Sequence, residues 1–238
     1  MSRPGIVYLI PSLLDERSLL SIPSSVPDAI KKCEVFFVEN ERSARRYLKQ
    51  VWKEIVIDNY EWHTIHKVEK EVLPVFIQRL KQGKIVGIIS EAGCPGVADP
   101  GQLLVAAAQG MNAQIKPLVG PASMILSLMA SGMNGQHFRF VGYLPIDNLE
   151  RIKQIGELET ESQKRNCTLI FIETPYRNNQ LVDTLLKNCN PSTRLCIAVD
   201  LTSPDEMIRT KTISQWQQVK PDIHKHPAIF LLYAGLDQ

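Results

Sequence analysis

Ile85 to Gly101 reads IVGIISEAGCPGVADPG, and this stretch decides the fold. Ile85, Val86, Ile88 and Ile89 form a short apolar run rich in β-branched residues, the pattern of a central parallel strand covered on both faces. The run stops at Ser90, after which Gly93, Pro95, Gly96, Pro100 and Gly101 follow too closely for helix or strand to persist. Glycines at such spacing let the backbone turn sharply and lie against a ligand without a side chain in the way. In an open α/β sheet the carboxyl end of a strand is where small molecules bind, so the loop is a candidate binding element as well as a structural turn.

Three further segments repeat the theme. Leu118 to Ser131, LVGPASMILSLMAS, carries a Gly-Pro turn into a helix of small residues. Phe138 to Pro145, FRFVGYLP, is a strand closed by glycine and proline, and Leu169 to Arg177, LIFIETPYR, is a strand ending in a proline turn between an acid and an arginine. Strands expected at 6–11, 35–38, 55–57, 85–89 and 115–117 alternate with helices at 26–32, 41–52, 69–81, 101–109 and from 122, which implies a largely parallel sheet. The character changes near 136–145. From there, strands at 139–143, 168–172, 194–199, 206–212 and 228–233 include neighbours in hairpin-like order, so a mixed sheet is expected. The reading is an α/β protein with an N-terminal domain over 1–135 and a C-terminal domain over 136–238.

Composition excludes several classes. A formal net charge of +2 on 238 residues leaves no general basic footprint, so any nucleic-acid contact must be local. No apolar run is long enough to cross a bilayer, and the segment within MSRPGIVYLIPSLLDE lacks the length and cleavage site of a signal peptide; a cytoplasmic location without membrane attachment is the expectation. Cys33, Cys94, Cys167, Cys189 and Cys196 are odd in number and without CxxC spacing, which points to reduced thiols. GxxxxGK[ST] and GxSxG are absent, removing the P-loop hydrolase and the common serine hydrolase. His63 with His66, and His224 with His226, could each share a face, but spacing fixes no third ligand and no metal is expected. Tyr60, Trp52 and Trp62 among Lys49, Lys53 and Lys67 either stack on RNA bases or cover a core edge or a dimer surface. Met124, Met129 and Met133 read as helix core.

The order of these motifs from Tyr8 to Gly235 resembles the tetrapyrrole methylase superfamily of S-adenosylmethionine-dependent methyltransferases. Within it, the local motifs are most similar to the branch that methylates a cytidine ribose 2′-hydroxyl in small-subunit ribosomal RNA. The resemblance implies two α/β domains with S-adenosylmethionine folded in the cleft between them, and a homodimer. It also implies that Ala92, Gly93, Cys94, Pro95 and Val97 lie along the cofactor, with Gly120, Pro121, Ala122 and Ser123 facing it from the next βα turn. Glu173 takes the corresponding strand-end position of the second domain, and Met207, Ala228 and Ile229 match an adenine-side wall or else are ordinary core.

Methyl transfer from a sulfonium needs alignment and exclusion of water more than charge, so backbone and small side chains suffice for the donor. A ribose hydroxyl is a poor nucleophile and benefits from a base or electrostatic stabiliser. Glu39 and Arg42 in VENERSARRYL match the family's Ala-Glu-Asp-Thr-Arg segment, and Glu173 and Arg177 in ETPYR match its Glu-Ser-Pro-His-Arg turn. Glu39, Arg42 and Arg177 are therefore the residues expected to face the acceptor, while Glu91 and Asp99 bracket the central loop. The sequence also departs from the pattern. IPSLLDERSL stands for the family's Ala-Thr-Pro-Ile-Gly-Asn-Leu, DNYEWHTIHK for its His-Glu-His-Asn segment, PIDNLERIKQ dilutes a basic run, and HPAIFLLYAG lacks the closing Gly-Glu. These departures fall on the acceptor half. They leave open a tetrapyrrole or other small-molecule acceptor, or a cofactor-binding module without acceptor chemistry.

Overall fold

The computed structural model describes residues 4–65 and 69–235. The chain divides into two compact units, Met1–Ala122 and Ser123–Gln238.

In the first unit, β1 (Ile6–Ile10), α1 (Ser25–Ile30), β2 (Val35–Val38), α2 (Glu41–Val51), β3 (Glu61–Thr64), α3 (Glu69–Lys81), β4 (Ile85–Ile89), α4 (Gln102–Gly110) and β5 (Gln114–Pro117) follow one another. The strands pair in parallel in the order β3-β2-β4-β1-β5, because each returns through a crossover rather than a hairpin. Alternation along the strands supplies both faces. Tyr8, Ile10, Phe36, Val38 and Ile89 pack with Ala29, Ile30, Tyr47 and Leu48 of α1 and α2. Val7, Val35, Phe37, Val86 and Ile88 pack with Phe76, Leu80, Leu104 and Ala108 of α3 and α4. Helix α3 spans the expected residues in spite of Pro74.

The strand expected at 55–57 is absent. Ile55 is instead a fully buried plug beside Val56, which is exposed, and residues Ile57–Asn59 form a 3-10 turn. The edge strand is β3, EWHT, where Trp62 stacks on Phe36 at 5.0 Å and His63 on Phe37 at 4.9 Å. Trp62 and Thr64 favour a strand, and aromatic cross-strand packing on Phe36 and Phe37 holds this short segment at the sheet edge.

The second unit contains α5 (Ser123–Ser131), β6 (Phe138–Tyr143), α6 (Asn148–Arg165), β7 (Thr168–Ile172), α7 (Asn178–Asn188), β8 (Arg194–Val199), β9 (Met207–Thr212), α8 (Ile213–Gln218) and β10 (Ala228–Tyr233). Strand order is β6-β7-β10-β8-β9, with β6 and β7 parallel and the remaining pairs antiparallel, a mixed sheet. Phe171, Phe230, Leu232, Leu195 and Ile197 pack against Leu158 of α6, Leu181 and Leu185 of α7, and Trp216 of α8. Residues 123–135, read with the first half of the sequence, carry α5, which packs on β9 and β10; the Thr210 hydroxyl donates to the Ser131 carbonyl at 2.7 Å. Met129, expected in the core, is 76% exposed and shares an outward stripe with Ile125. No helix among the described residues is long and apolar enough to cross a membrane.

Candidate active site

The carboxyl ends of β1, β4 and β5 meet through main-chain contacts. The Ser12 N–H donates to Gly93 O at 2.8 Å, and the Ser12 hydroxyl donates to Ser90 O at 3.0 Å. The Tyr47 hydroxyl donates to Pro11 O at 2.6 Å from α2. Gly93 holds φ +74°, and a Cβ there would stand 3.4 Å from both Leu14 Cδ2 and Pro121 O. A Cβ on Gly120 would overlap the Pro11 ring. Cys94 sits against the same turn, its Sγ 3.6 Å from Pro121 O, and burial followed by the charge of Asp99 raises its thiol pKa. Pro95 and Pro121 are buried, whereas Ala92, Gly96, Val97 and Ala98 are exposed and Val119 is 79% exposed.

The result is a shelf drawn by backbone, with small apolar side chains on its open side. It offers main-chain atoms and small apolar side chains to an organic ligand. The amino terminus of α4 does not take part as an anion site, because Glu69 occupies it. Its carboxylate accepts from Gly101 N–H and Leu103 N–H, both at 2.9 Å.

Beside the shelf, at the ends of β2 and β4, three acids gather. Glu39 Oε2 accepts from Glu91 N–H at 3.0 Å, and the Ser43 hydroxyl donates to the Glu91 carboxylate. Asp99 is pushed up to about 6, first by burial and then by the charge of Glu39, against the opposing help of the Ser90 hydroxyl. Asn40 caps α2 by accepting from Arg42 N–H at 3.0 Å and Ser43 N–H at 3.3 Å. The Arg42 side chain projects from this first turn, exposed, and forms no ion pair among the described residues. Glu39 and Arg42 are therefore neighbours without being partners.

Glu173 and Arg177 behave differently. Glu173 follows β7 with its side chain 1% exposed, and its Oε1 accepts from Thr174 N–H at 2.6 Å and from Arg177 Nε and Nη2 at 3.0 and 2.6 Å. Glu173 Oε2 is buried and has no hydrogen-bond partner among the described residues. Met207 and Ala228 both flank Val199 in register and so share one sheet face, against the unit's core. Ile229 is the next residue of the same strand and points to the other face, so its side chain cannot line a wall with them. Ser123 opens α5.

Trp62 and Tyr60 cover the core edge rather than standing free. Both pack on Phe36, Trp62 Nε1 donates to Ile57 O at 3.1 Å, and the Arg45 guanidinium lies 5.1 Å from the Trp62 ring. Lys67 and His66 lie outside the described residues. His224 and His226 sit in the loop before β10, not on a strand. Among the described residues, no three His, Cys, Asp or Glu side chains form a metal-binding group. A charged groove of about 690 Å³ along α6, lined by Arg139, Lys153, Glu157, Glu161, Lys164 and Arg165, lies toward the amino end of β7, away from Glu173.

A parallel sheet with a main-chain shelf at its carboxyl edge, joined in one chain to a mixed α/β unit, is the framework of an enzyme that binds a small organic cofactor. Residues 22–217 match the family model of the Tetrapyrrole (Corrin/Porphyrin) Methylases, and the chain belongs to that family. It is an S-adenosylmethionine-dependent methyltransferase. Among its relatives, the ribosomal RNA small subunit methyltransferase I of Buchnera aphidicola subsp. Schizaphis graminum is 24% identical over 241 residues, covering 100% of this chain and 81% of the relative. The protein of that name from Vibrio cholerae is 26% identical over 210 residues, covering 88% and 69%. The fold is shared with the methyltransferase CobJ (TM-score 0.64, 16% identity, 98% of this chain and 94% of that one). It is also shared with the Thermus thermophilus uroporphyrin-III C-methyl transferase complexed with S-adenyl homocysteine (TM-score 0.59, 15% identity, 96% and 97%).

Proposed function

We propose that this methyltransferase acts on the 2′-hydroxyl of a cytidine ribose in small-subunit ribosomal RNA. The observation that carries the reading is the extent of the sequence match: the two relatives above, both named for ribosomal RNA methylation, align along 100% and 88% of the chain. The main-chain shelf fits the cofactor the family uses. Ala92, Gly93, Cys94, Pro95, Val97, Gly120, Pro121 and Ala122 would hold it, chiefly through backbone atoms. When bound, S-adenosylmethionine supplies a methyl group already activated by its sulfonium. The protein then has to orient an RNA hydroxyl and keep water away.

Arg42 is suited to the RNA side because its guanidinium is exposed and uncommitted, and an arginine fork recognises phosphate oxygens. Glu39 is assigned to ordering the Glu91 turn next to it, since its carboxylate already accepts that N–H. Arg177 is assigned to the RNA through its remaining nitrogen, with Glu173 fixing its orientation. The reading carries with it a cytoplasmic location and a homodimeric assembly.

The test is methyl transfer from labelled S-adenosylmethionine to small ribosomal subunits prepared from cells lacking this protein, followed by nuclease mapping. Label on one cytidine as a 2′-O-methyl is the expected result. Transfer to a uroporphyrinogen-type substrate and not to subunits would replace the RNA acceptor with a tetrapyrrole. Cofactor binding with no transfer to either would leave a binding module.

A further inference from the structure

We infer that the groove between helix α6 and the edge strand β6 is a further RNA-binding surface, which holds the phosphate backbone of the ribosomal RNA. The inference rests on the ribosomal RNA reading above and concerns the second unit alone. A formal net charge of +2 gives the chain no general attraction for a polyanion, so RNA affinity has to come from places where cations are concentrated and left unpaired.

Helix α6 provides such a place. Its buried residues Arg151, Ile155, Leu158 and Ser162 face the sheet, and its outer side presents Lys153, Gly156, Thr160 and Lys164 at helical spacing to the groove. Arg139 closes the other wall from β6. Its Nε and Nη2 donate to Glu161 Oε1 and Oε2 at 3.0 and 2.5 Å, which holds that carboxyl below the usual carboxylate range and offsets its charge. Lys153 lies 4.0 Å from Glu157 with both side chains well exposed, a contact that water screens. Lys164 and Arg165 are exposed and form no ion pair among the described residues. The groove therefore keeps an excess of positive charge.

The arrangement is a row. From Lys153 to Lys164 it extends about 16 Å along the helix axis. Such a row matches successive phosphates of a chain, whereas a single small anion needs donors that converge on it. An acidic protein would meet the same cations, but no apolar side chain among the described residues lines the groove, and the centre of a protein interface is normally apolar. Phosphate contacts need no such centre.

Gly156 is an independent sign of close approach. It stands in the interior of an 18-residue helix, where glycine is less favourable than alanine. Nothing within this chain calls for it, because a Cβ there would meet open space and its φ is not left-handed. One turn on, the Thr160 hydroxyl donates back to Gly156 O at 2.9 Å. The floor of the groove is thus bare helix backbone, over which a sugar–phosphate strand can come within reach of the cations at both ends.

The test uses the full chain with small ribosomal subunits and with ribosomal RNA stripped of protein. The triple variant Lys153→Gln, Lys164→Gln, Arg165→Gln is expected to bind both about tenfold more weakly at low salt, and to flatten the slope of log affinity against log salt by about 2. In methyl transfer the loss should lie in KM, with S-adenosylhomocysteine affinity as in the wild type. Gly156→Leu separates the surface from the fold: it should raise the melting temperature, as a better helix former entering open space, and yet weaken RNA binding by covering the floor. An unchanged salt slope in the triple variant, or undiminished RNA affinity in Gly156→Leu, overturns the proposal. Weaker binding to subunits but not to stripped RNA would assign the groove to a ribosomal protein and overturn it as well. Wild-type protein that methylates no subunit would reject the RNA acceptor instead, and the salt slope on stripped RNA would still decide the groove.

Discussion

Ser12 and Gly93 are joined across the strand ends by a single antiparallel bridge, with the Ser12 N–H on the Gly93 carbonyl oxygen at 2.8 Å. This bond fixes the loop after β1 to the loop after β4, and Gly93 makes it with φ +74°. A side chain at 93 would be strained in that conformation and pressed against Leu14 and Pro121. Gly93→Val is expected to destabilise the first unit by about 1–3 kcal/mol and to weaken S-adenosylhomocysteine at least tenfold. Thermal unfolding and calorimetric titration of the same preparation check both effects.

Arg42 projects from a helix turn whose capping is done by Asn40 and whose neighbouring acid is occupied elsewhere. Arg42→Ala should therefore leave stability within about 0.5 kcal/mol, as surface changes away from any bonded feature do. Transfer to small ribosomal subunits should fall, with the loss expressed mainly in KM and enlarged at higher salt. Equal turnover in mutant and wild type would remove Arg42 from the RNA side.

Asp99 gives a pH signature with a defined sign. Its folded-state pKa of about 6 lies above the ordinary value of 3.8, so between these limits the folded protein binds more protons than the unfolded chain. Stability contributed at this site is lost as pH rises from about 4 to about 6. Asp99→Asn is thus expected to raise the melting temperature at pH 7.5 and to have no such effect at pH 3.5. After allowance for solvent screening of a group only half-buried, the gain is about 1 kcal/mol. Melting curves of both proteins across this range provide the measurement.

The Glu173–Arg177 pair is asymmetric, with side-chain exposures of 1% and 30%. Without Arg177, the carboxylate keeps only the Thr174 N–H and remains out of water; without the carboxylate, the guanidinium can reach solvent. Arg177→Ala should consequently cost about 2–3 kcal/mol and Glu173→Gln about half of that. Denaturant unfolding of the two variants would contradict this if the order were reversed.

Strand exits and most helix limits were legible because β4, β7, β8 and β10 are short apolar runs and α3 and α7 keep a helical period. The shelf was legible for the same reason, since glycine and proline clustered directly after those runs. Strand β3 was hidden because EWHT gains its stability from rings on β2, a contact that local pattern does not encode. The Arg139–Glu161 pair was hidden by topology. A cation on an edge strand and an acid 22 residues later become neighbours only when the helix folds back along that strand, and the alternation of residues alone does not specify where the two meet. Arg42 and Arg177 looked alike in sequence, each following an acid by three or four positions, yet only the second is bonded to it.

The loops after β1 and β4 are fastened to each other by the Ser12 N–H on Gly93 O, and the loop after β5 is held by the Cys94 thiol on Pro121 O, while the side chains of Ala92, Val97, Ala98 and Val119 stand outside those fastenings. Contour and lining are thereby separable. On the cofactor reading proposed above, a protein engineer seeking to accept sulfonium donors with bulkier transferable groups would vary Ala92, Val97 and Val119 first and leave Ala98, whose φ of +64° restricts what can replace it.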